Sequence, residues 1–549
     1  MKKLLHTLLG ICLVIVIGAA AAGGVILYQK YSPSKERADV NELFGVSGDD
    51  TAIILNEELQ DDTGLYIDGQ FYLPVTWVND YINDRFYWDH NEKRLVYALP
   101  DTIVYADADT EGNGGKLLYE MEDDVYLSLG LISNYTDIRS EVYNDEDLKR
   151  VFLWNTWEAE QTASVKRAGQ IRTGAWVKEP VVADVEKGCG VKILAQEDKW
   201  SYVQTDTGYL GYIQTRKLTK AEEVQPASSF EAPVYESQSL GEPVCLAWHQ
   251  VTAQAANKNL AELLDNTKGI NVVSPTWFSL TDNEGNFSSL ASHDYVEEAH
   301  SRGIQVWALL DNFSGDVQSE ILLATTSTRK KLIQSLIDEI KEYDIDGLNL
   351  DFESLKESAA PHYIQFIREL SISCRKEGII LSVDNYVPSI YTEFYNRKEQ
   401  GIVADYVIIM GYDEHHAGGE MGSVASLPFV ENGIKDTLAL VPKEKVINAV
   451  PFYTRIWKVS DGETTSSAKG ITAAKNWIEE NNVSLEWDDE LGQYYGSMTD
   501  EDGNSWYVWM EEERSLELKA SLCDKYQLAG IACWKLGLDP EYIWDVIDQ

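Results

Sequence analysis

The stretch Asp346-Gly347-Leu348-Asn349-Leu350-Asp351-Phe352-Glu353 decides the fold of this chain. Apolar side chains at 348, 350 and 352 alternate with Asn349, Asp351 and Glu353. This period of two predicts a buried strand that carries three polar groups on one face. An ordinary core strand lacks this pattern, because buried unpaired carboxylates are costly or must stay protonated. Asp346 is out of phase, and we expect it to brace the strand start or a neighbouring turn.

The stretch resembles the signature of glycoside hydrolase family 18, Asp-Gly-x-(Asp/Asn)-x-Asp-x-Glu, and all six specified positions match. The resemblance implies an α/β fold, a (β/α)8 TIM barrel in which this strand is the fourth. It implies that Glu353 is the general acid and that Asp351 holds the substrate's N-acetyl group, whose own oxygen is the nucleophile. Asp346 and Gly347 are then structural positions.

Asn349 stands where many chitinases of this family have a third Asp, and it resembles the cell-wall and spore-cortex branch. We expect it to contact the substrate. A general acid such as Glu353 must stay protonated near neutral pH, and a poorly solvated carboxylate beside it raises its pKa. Because an amide cannot take up a shared proton, the sequence predicts that Asp351 manages its charge by hydrogen bonds alone.

Short apolar runs alternate with helical patterns after residue 237, which is typical of a parallel barrel. The gap from Arg455 to about Ser515 predicts a small α+β insertion after the seventh strand, with a helix at 473–481. We predict eight strands, at 244–248, 271–277, 305–310, 347–352, 379–384, 406–410, 446–450 and 530–534.

Further site candidates lie at strand ends, where such barrels place their active sites. Met410-Gly411-Tyr412-Asp413 resembles the family's Met-x-Tyr-Asp, which implies that Tyr412 hydrogen-bonds the acetamide oxygen and that Asp413 binds sugar hydroxyls. The alternative is a packed tyrosine beside a turn aspartate. Met410 belongs to the same substrate-binding segment.

An indole at Trp534 would form the floor under the sugar ring, or it packs in the core. The segment 451–457 resembles the family's Pro-Phe-Tyr-x-Arg and makes Tyr453 and Arg455 cleft candidates. The remaining candidates near strand ends or in the insertion are Trp248, Asn312, Tyr386 and Glu511. We predict no metal or cofactor, because the adjacent His415 and His416 point apart without a third ligand.

The N-terminus predicts a membrane segment. Met1-Lys2-Lys3 precedes an apolar run at 4–28 whose one strongly polar residue is His6, and this run is long enough to span a bilayer. The lysine pair stays inside, which places the catalytic domain outside the cell membrane. Ala20-Ala21-Ala22 leaves the alternative of a cleaved signal and a secreted protein. We assign 1–30 to the anchor or signal and 31–45 to a stalk.

Two modules are predicted between the stalk and the barrel. Residues 46–158 contain two copies of a repeat, at 69–97 and 124–153. Each copy is predicted to form a strand, a short helix, a second strand, a turn and a third strand. The first copy resembles the N-terminal domain of copper amine oxidases, although no copper is implied. Residues 165–220 contain five short strands with Gly-rich turns and resemble a bacterial SH3-like domain. Both modules are spacers or bind the cell wall; 221–237 is a linker and 238–549 the catalytic domain.

Length, net charge and cysteine content limit the number of domains and the classes of function that this chain can have. A chain of 549 residues is too long for one core and predicts three or more domains. A net charge of −44 argues against nucleic-acid binding and suits an extracytoplasmic protein. The six cysteines contain no CxxC; Cys245 and Cys533, on neighbouring barrel strands, are either one bridge or free thiols.

The sequence therefore predicts a retaining glycoside hydrolase that acts on GlcNAc-containing glycan. The anchor, the SH3-like unit and Asn349 favour peptidoglycan as the substrate. The alternatives are a chitinase acting on chitin oligosaccharides and a catalytically silent carbohydrate-binding protein on the same barrel.

Overall fold

The structure is a computed structural model and describes residues 2–121 and 124–547. The chain divides into two compact units, which are Met1–Phe86 with Ala106–Ala232 and Tyr87–Tyr105 with Pro233–Gln549. The predicted domain boundaries inside the first unit remain predictions.

A closed barrel of eight parallel strands forms the second unit. Each strand pairs with the next, and the eighth pairs with the first. The predicted TIM barrel is therefore confirmed. Barrel strands 1 to 8 are Val244–His249, Val272–Pro275, Gln305–Asp311, Gly347–Asp351, Ile380–Tyr386, Tyr406–Met410, Val446–Pro451 and Gly530–Trp534.

Strand alternation separates two apolar layers. Leu348 and Leu350 of strand 4 point outward and belong to the cluster that packs the helices against the barrel. Trp248, Trp307 and Tyr406 belong to a second cluster. The helices of this unit are Leu260–Leu264, His293–Ser301, Ser319–Leu322, Thr326–Tyr343, Ala360–Glu377, Arg397–Val403, Leu427–Leu438, Ile471–Glu480, Glu513–Tyr526 and Trp544–Ile547.

Two glycines allow close approach inside the barrel. A Cβ at Gly347 would lie 2.5 Å from Cδ1 of Trp307, and a Cβ at Gly530 would lie 2.0 Å from the carbonyl oxygen of Val244. Real Cβ atoms do not approach other atoms this closely, so the signature strand and the last strand of the barrel both need glycine at these positions.

The predicted insertion between strands 7 and 8 is an antiparallel sheet with one helix, Ile471–Glu480. Its strands, in spatial order, are Glu463–Gly470, Tyr453–Ser460, Ser505–Met510, Gln493–Thr499 and Leu485–Asp488. The sheet begins two residues after barrel strand 7 ends, and so Tyr453 is fixed beside the strand ends.

The hairpin that the sequence assigns to the first repeat copy belongs to the barrel unit. Its strands are Tyr87–Asp89 and Arg94–Ala98. Asp89 accepts hydrogen bonds from the backbone N–H and the hydroxyl of Thr326, both at 2.6 Å. Arg329 of the same helix forms a buried ion pair with Glu369 at 2.8 Å.

The described residues of the first unit contain a long apolar helix, Lys2–Tyr31, two seven-stranded sheets and a two-stranded ribbon of Glu111–Gly112 with Gly115–Lys116. Residues His6–Tyr31 of this helix have a mean hydropathy of 2.6, none of them is buried, and the segment is long enough to cross a membrane. One sheet has the strand order Arg139–Asn144, Lys149–Trp154, Asp50–Leu55, Glu58–Ile67, Gln70–Pro74, Asp124–Ser128 and Leu118–Met121. The other has the order Val181–Val185, Gly169–Arg172, Leu210–Gln214, Trp200–Thr205, Gly190–Glu197, Glu160–Ser164 and Glu222–Val224.

All six cysteines are free thiols. Cys245 and Cys533 lie on neighbouring strands 1 and 8, as predicted, but they do not form the bridge that the sequence left open.

Candidate active site

A cavity of about 670 Å³ lies at the carboxyl ends of the barrel strands. It brings together side chains from strands 1, 3, 4, 5, 6 and 8 and from the insertion. Nine of the predicted site residues line it: Trp248, Asp351, Glu353, Tyr386, Met410, Tyr412, Asp413, Tyr453 and Trp534.

Glu353 follows the end of strand 4, and Asn312 fixes its backbone. The Glu353 N–H donates to Asn312 Oδ1 at 2.9 Å, and Asn312 Nδ2 donates to the Glu353 carbonyl at 3.0 Å. Asn312 does not line the main cavity but an adjoining one of about 440 Å³, which Glu353 also borders. Both ends of its amide hold the peptide of Glu353, and a contact between Asn312 and substrate stays a prediction.

The surroundings of the Glu353 carboxyl favour its protonated form. Burial raises its pKa, and the charges of Asp413 and Asp311 raise it further. The hydroxyl of Tyr386 donates to Glu353 Oε2 at 2.7 Å and lowers the same pKa. A half-buried acid with a raised pKa is the group that general acid catalysis needs.

Three carboxyls lie at one level on strands 3, 4 and 5. Asp311 is paired with Asp351 in the sheet register, and Asp384 is the next residue after the pair Leu350 and Val383. Burial raises the pKa of Asp351 well above its usual range, followed by the charges of Asp384, Glu353 and Asp311. Asp384 was absent from the sequence-based candidates, although an acid at a predicted strand end was a signal for it.

Asn349 does not reach the cavity, contrary to the predicted substrate contact. It is fully buried, and its amide makes four hydrogen bonds. Its Oδ1 accepts from Trp248 Nε1 at 2.9 Å and Ser274 Oγ at 3.1 Å, and its Nδ2 donates to Ser382 Oγ at 3.0 Å and Asp384 Oδ1 at 2.7 Å. Since an indole N–H only donates, it fixes which end of the amide is the oxygen.

The prediction that Asp351 manages its charge by hydrogen bonds alone did not take account of a second carboxyl beside it. This neighbour is Asp384, which is buried. Burial raises the pKa of Asp384 well above the usual range, against the hydrogen bond from Asn349, and Glu353 raises it further. An acid is thus present beside Asp351 on strand 5 rather than at position 349 of strand 4.

The opposite wall of the cavity is aromatic. Burial raises the pKa of Tyr412 well above 10, so its hydroxyl remains a donor. Tyr453 donates to Asp413 Oδ1 at 2.6 Å, and Asp413 has a positive φ of 57°. The rings of Trp248 and Trp534 lie 5.7 Å apart at the cavity floor.

Two other predicted residues lie away from the cavity lining. Arg455 donates to Ser466 Oγ at 3.1 Å within the insertion sheet. Asp346 accepts from the N–H of Val306 and shares a hydrogen bond with His300 Nε2, each at 2.8 Å, at the start of the strands. Among the described residues, no group of three or more His, Cys, Asp or Glu side chains is arranged to hold a metal ion.

Comparison with known proteins agrees with this geometry. Residues 282–539 match the family model Glycosyl hydrolases family 18. The chain is 28% identical over 262 residues to the uncharacterized glycosylase YvbX of Bacillus subtilis, a match covering 45% of this chain and 76% of that protein. It is 26% identical over 237 residues to the cortical fragment-lytic enzyme of Bacillus subtilis, covering 42% of this chain and 55% of that protein.

A solved structure has the same fold. The Bacillus cereus spore cortex-lytic enzyme SleL superposes with a TM-score of 0.51 at 20% identity, over 58% of this chain and 75% of that structure. The matched region includes the signature strand, the Tyr412 segment and Trp534. Residues 282–539, which include barrel strands 3 to 8, therefore match the glycosyl hydrolases family 18 model, and the chain is a glycoside hydrolase.

Proposed function

We propose that this chain cleaves β-linked polymers of N-acetylglucosamine by substrate-assisted catalysis with retention of configuration. The observation that carries the proposal is the pair of desolvated acids at the end of strand 4. Glu353 and Asp351 both line one cavity, and burial raises the pKa of each. Neither acid needs to be the nucleophile, because an acetamide group supplies one.

In the proposed reaction, Glu353 donates its proton to the glycosidic oxygen as the bond to the sugar carbon breaks. The acetamide oxygen of the same sugar attacks that carbon and forms a cyclic oxazolinium ion. Asp351 accepts a hydrogen bond from the acetamide N–H and stabilises the positive charge. Water then opens the ring, and the Glu353 carboxylate takes the proton that water loses.

The aromatic wall supports the same substrate. Tyr412 is a protonated donor at the cavity, suited to orient the acetamide oxygen. Trp534, packed against the buried ring of Trp248, offers an apolar face on which a sugar ring stacks. Met410 completes the lining beside them, and Asp413, held by Tyr453, accepts hydrogen bonds from sugar hydroxyls.

We infer peptidoglycan, outside the cell membrane, as the natural glycan. The names of the relatives, which include a cortical fragment-lytic enzyme, support this substrate. The apolar helix Lys2–Tyr31 supports a single-pass anchor, and the net charge of −44 suits an extracytoplasmic protein. The two modules at 46–158 and 165–220 then hold the enzyme at the cell wall.

The test compares the full chain in detergent with Glu353→Gln and with Glu357→Gln, a control at an exposed acid four residues away. Each is incubated with purified peptidoglycan and with chitin oligosaccharides, and new reducing ends are identified by mass spectrometry. We expect GlcNAc ends from peptidoglycan, a loss of at least about 100-fold in Glu353→Gln, and no change in the control.

Other outcomes replace the proposal with its alternatives. Cleavage of chitin oligosaccharides alone makes the enzyme a chitinase. Glycan binding without cleavage in the wild type makes it a carbohydrate-binding protein. Cleavage of a matched substrate whose scissile sugar lacks the acetamide would refute substrate assistance, because that sugar has no internal nucleophile.

A further inference from the structure

Asp384 of barrel strand 5 is a buried carboxyl to which the proposed reaction assigns no role. It is 2% exposed, borders the cavity and directly follows Val383, which pairs with Leu350, the residue before Asp351. Adjacent strands are about 4.8 Å apart, so side chains on the same face of such a pair are within hydrogen-bond reach. Any role for Asp384 in catalysis rests on the proposed function, which assigns the acetamide to Asp351.

The two neighbours of Asp351 at this level differ in their hydrogen bonds. Both oxygens of Asp311 have donors: Ser279 Oγ at 2.7 Å and the N–H of Phe313 at 3.0 Å. Among the residues that the structure describes, the side-chain donor to Asp384 is the amide of Asn349, which reaches one oxygen, Oδ1. Asp384 thus has an oxygen on which a proton can reside.

Asp351 has an oxygen that lacks a hydrogen-bond donor among the described residues. Its Oδ1 is buried, and within residues 2–121 and 124–547 no protein group donates a hydrogen bond to it. A buried acceptor without a donor costs about 1–3 kcal/mol, and more when it is charged. A proton on the neighbouring carboxyl is the group that would satisfy it.

We propose that Asp384 is a positioning residue that holds one proton and donates it in a hydrogen bond to Asp351 Oδ1. The pair then carries a single negative charge, placed on Asp351 where the acetamide binds. Asn349 assists by donating to Asp384 Oδ1, which leaves the other oxygen for the proton. No covalent bond changes, and the proton stays within the pair throughout turnover.

The surroundings favour a retained proton. Burial raises the pKa of both carboxyls, and the charged groups that influence them most are other acids. An isolated pair of adjacent carboxylates cannot both ionise cheaply in a dry site. The titratable groups that face the pair from the neighbouring elements are Asp311, Glu353, Tyr363, Tyr395 and Tyr412, with Arg397 behind the tyrosines.

The first test does not require substrate. Calorimetry of the full chain in detergent, from pH 4 to 8, compares wild type with Asp384→Asn and with Asp316→Asn, a control at an exposed acid. An acid whose pKa is raised by folding gives stability below its unfolded pKa of about 4 that is lost as pH rises. Asp384→Asn should therefore gain melting temperature over wild type by roughly 2 °C for each pH unit above about 4.

The second test uses the pH profile of kcat/KM. The amide in Asp384→Asn accepts from Asn349 and donates to Asp351, as the protonated acid would, so its acid limb should stay in place. Asp384→Ala removes the donor, which destabilises the Asp351 carboxylate and should move the acid limb upward by about one pH unit. If the alanine variant does not fold, the calorimetry of Asp384→Asn still decides the proposal.

A constant difference in melting temperature between pH 4 and 8 would overturn the proposal, because Asp384 would then hold no extra proton. An equal shift of the acid limb in Asp384→Asn and Asp384→Ala would also overturn it, because a hydrogen-bond donor at position 384 would then make no difference to Asp351. A wild type that cleaves no glycan would defeat the proposed function instead, and the calorimetric result would still decide the state of Asp384.

Discussion

Removal of the Tyr386 hydroxyl gives a direct test of how the site sets the pKa of Glu353. Tyr386 donates to Glu353 Oε2 at 2.7 Å and accepts from the N–H of Ser354 at 3.2 Å. The first of these bonds lowers the pKa of Glu353, against burial and two neighbouring acids. Tyr386→Phe removes the bond and leaves the ring in place.

The size of the effect depends on the charge of the acceptor. A hydrogen bond to a charged group contributes about 1.5–3 kcal/mol, and one pKa unit corresponds to about 1.4 kcal/mol. Glu353 is only partly buried, so we take the lower end and expect its pKa to rise by about one unit. Because the proposed general acid works when protonated, the basic limb of kcat/KM should move to higher pH by about one unit.

The assay is the pH dependence of kcat/KM on a chromogenic GlcNAc oligosaccharide, measured for wild type and Tyr386→Phe. Tyr391→Phe is the control, because Tyr391 lies in the loop that follows Tyr386 and is 80% exposed. Melting temperatures at each pH separate loss of fold from loss of activity. A basic limb that stays in place, or moves to lower pH, would refute the view that this hydroxyl stabilises the Glu353 carboxylate.

Two further predictions concern the stability of the barrel. Gly530→Ala places a Cβ about where the carbonyl of Val244 lies, and we expect a loss of about 3 kcal/mol or more in the free energy of unfolding, measured by chemical denaturation; a loss below about 1 kcal/mol would contradict the contact. Arg329→Ala leaves Glu369 buried without its ion-pair partner and should lower the free energy of unfolding by about 3–5 kcal/mol. Its melting temperature should be lower than that of the double variant that combines Arg329→Met and Glu369→Gln.

The barrel was predictable because its signal is local and repeated. The period of two in strand 4 put Asn349, Asp351 and Glu353 on one face. In the structure Asn349 bonds to Trp248 and Asp384 inside the barrel, Asp351 and Glu353 line the cavity, and Leu348 and Leu350 face the helices. The eight predicted strands coincide with observed strands to within a few residues. Short apolar runs between helical patterns have few other ways to bury their backbone.

The depth of a side chain along the barrel axis was not predictable from the same pattern. Asn349 and Asp351 share a face, but only Asp351 reaches the cavity, because one further step of the strand separates the packed interior from the open end. The role of Asn312 was hidden for a similar reason. Its amide partners, the N–H and C=O of Glu353, belong to another strand end 41 residues away.

The partnership of Asp351 with Asp384 depends on register between strands 4 and 5, which a single sequence does not specify. Once Leu350 lies opposite Val383, the next residues of both strands bring two carboxyls side by side. The resemblance drew attention to position 349 as the absent acid, whereas the chain has its acid one strand further along. A position-by-position comparison along one strand cannot detect such an exchange between strands.

The proposed reaction needs a protonated acid and a group that stabilises a cation, and the neighbouring carboxyls of Asp351, Glu353 and Asp384 meet both needs. The acid Glu353 must keep its proton until the glycosidic oxygen accepts it, and burial, followed by the charges of Asp413 and Asp311, raises its pKa. The oxazolinium ion that forms next is positive, and a carboxylate held in place at Asp351 stabilises it without reorganising. A site with no net negative charge would lose both effects, and a site with every carboxyl ionised would be too costly to bury. With one proton retained between Asp351 and Asp384, the site is neither neutral nor fully ionised. The burial that makes these carboxyls costly therefore also lets Glu353 act as an acid and lets Asp351 stabilise the cation.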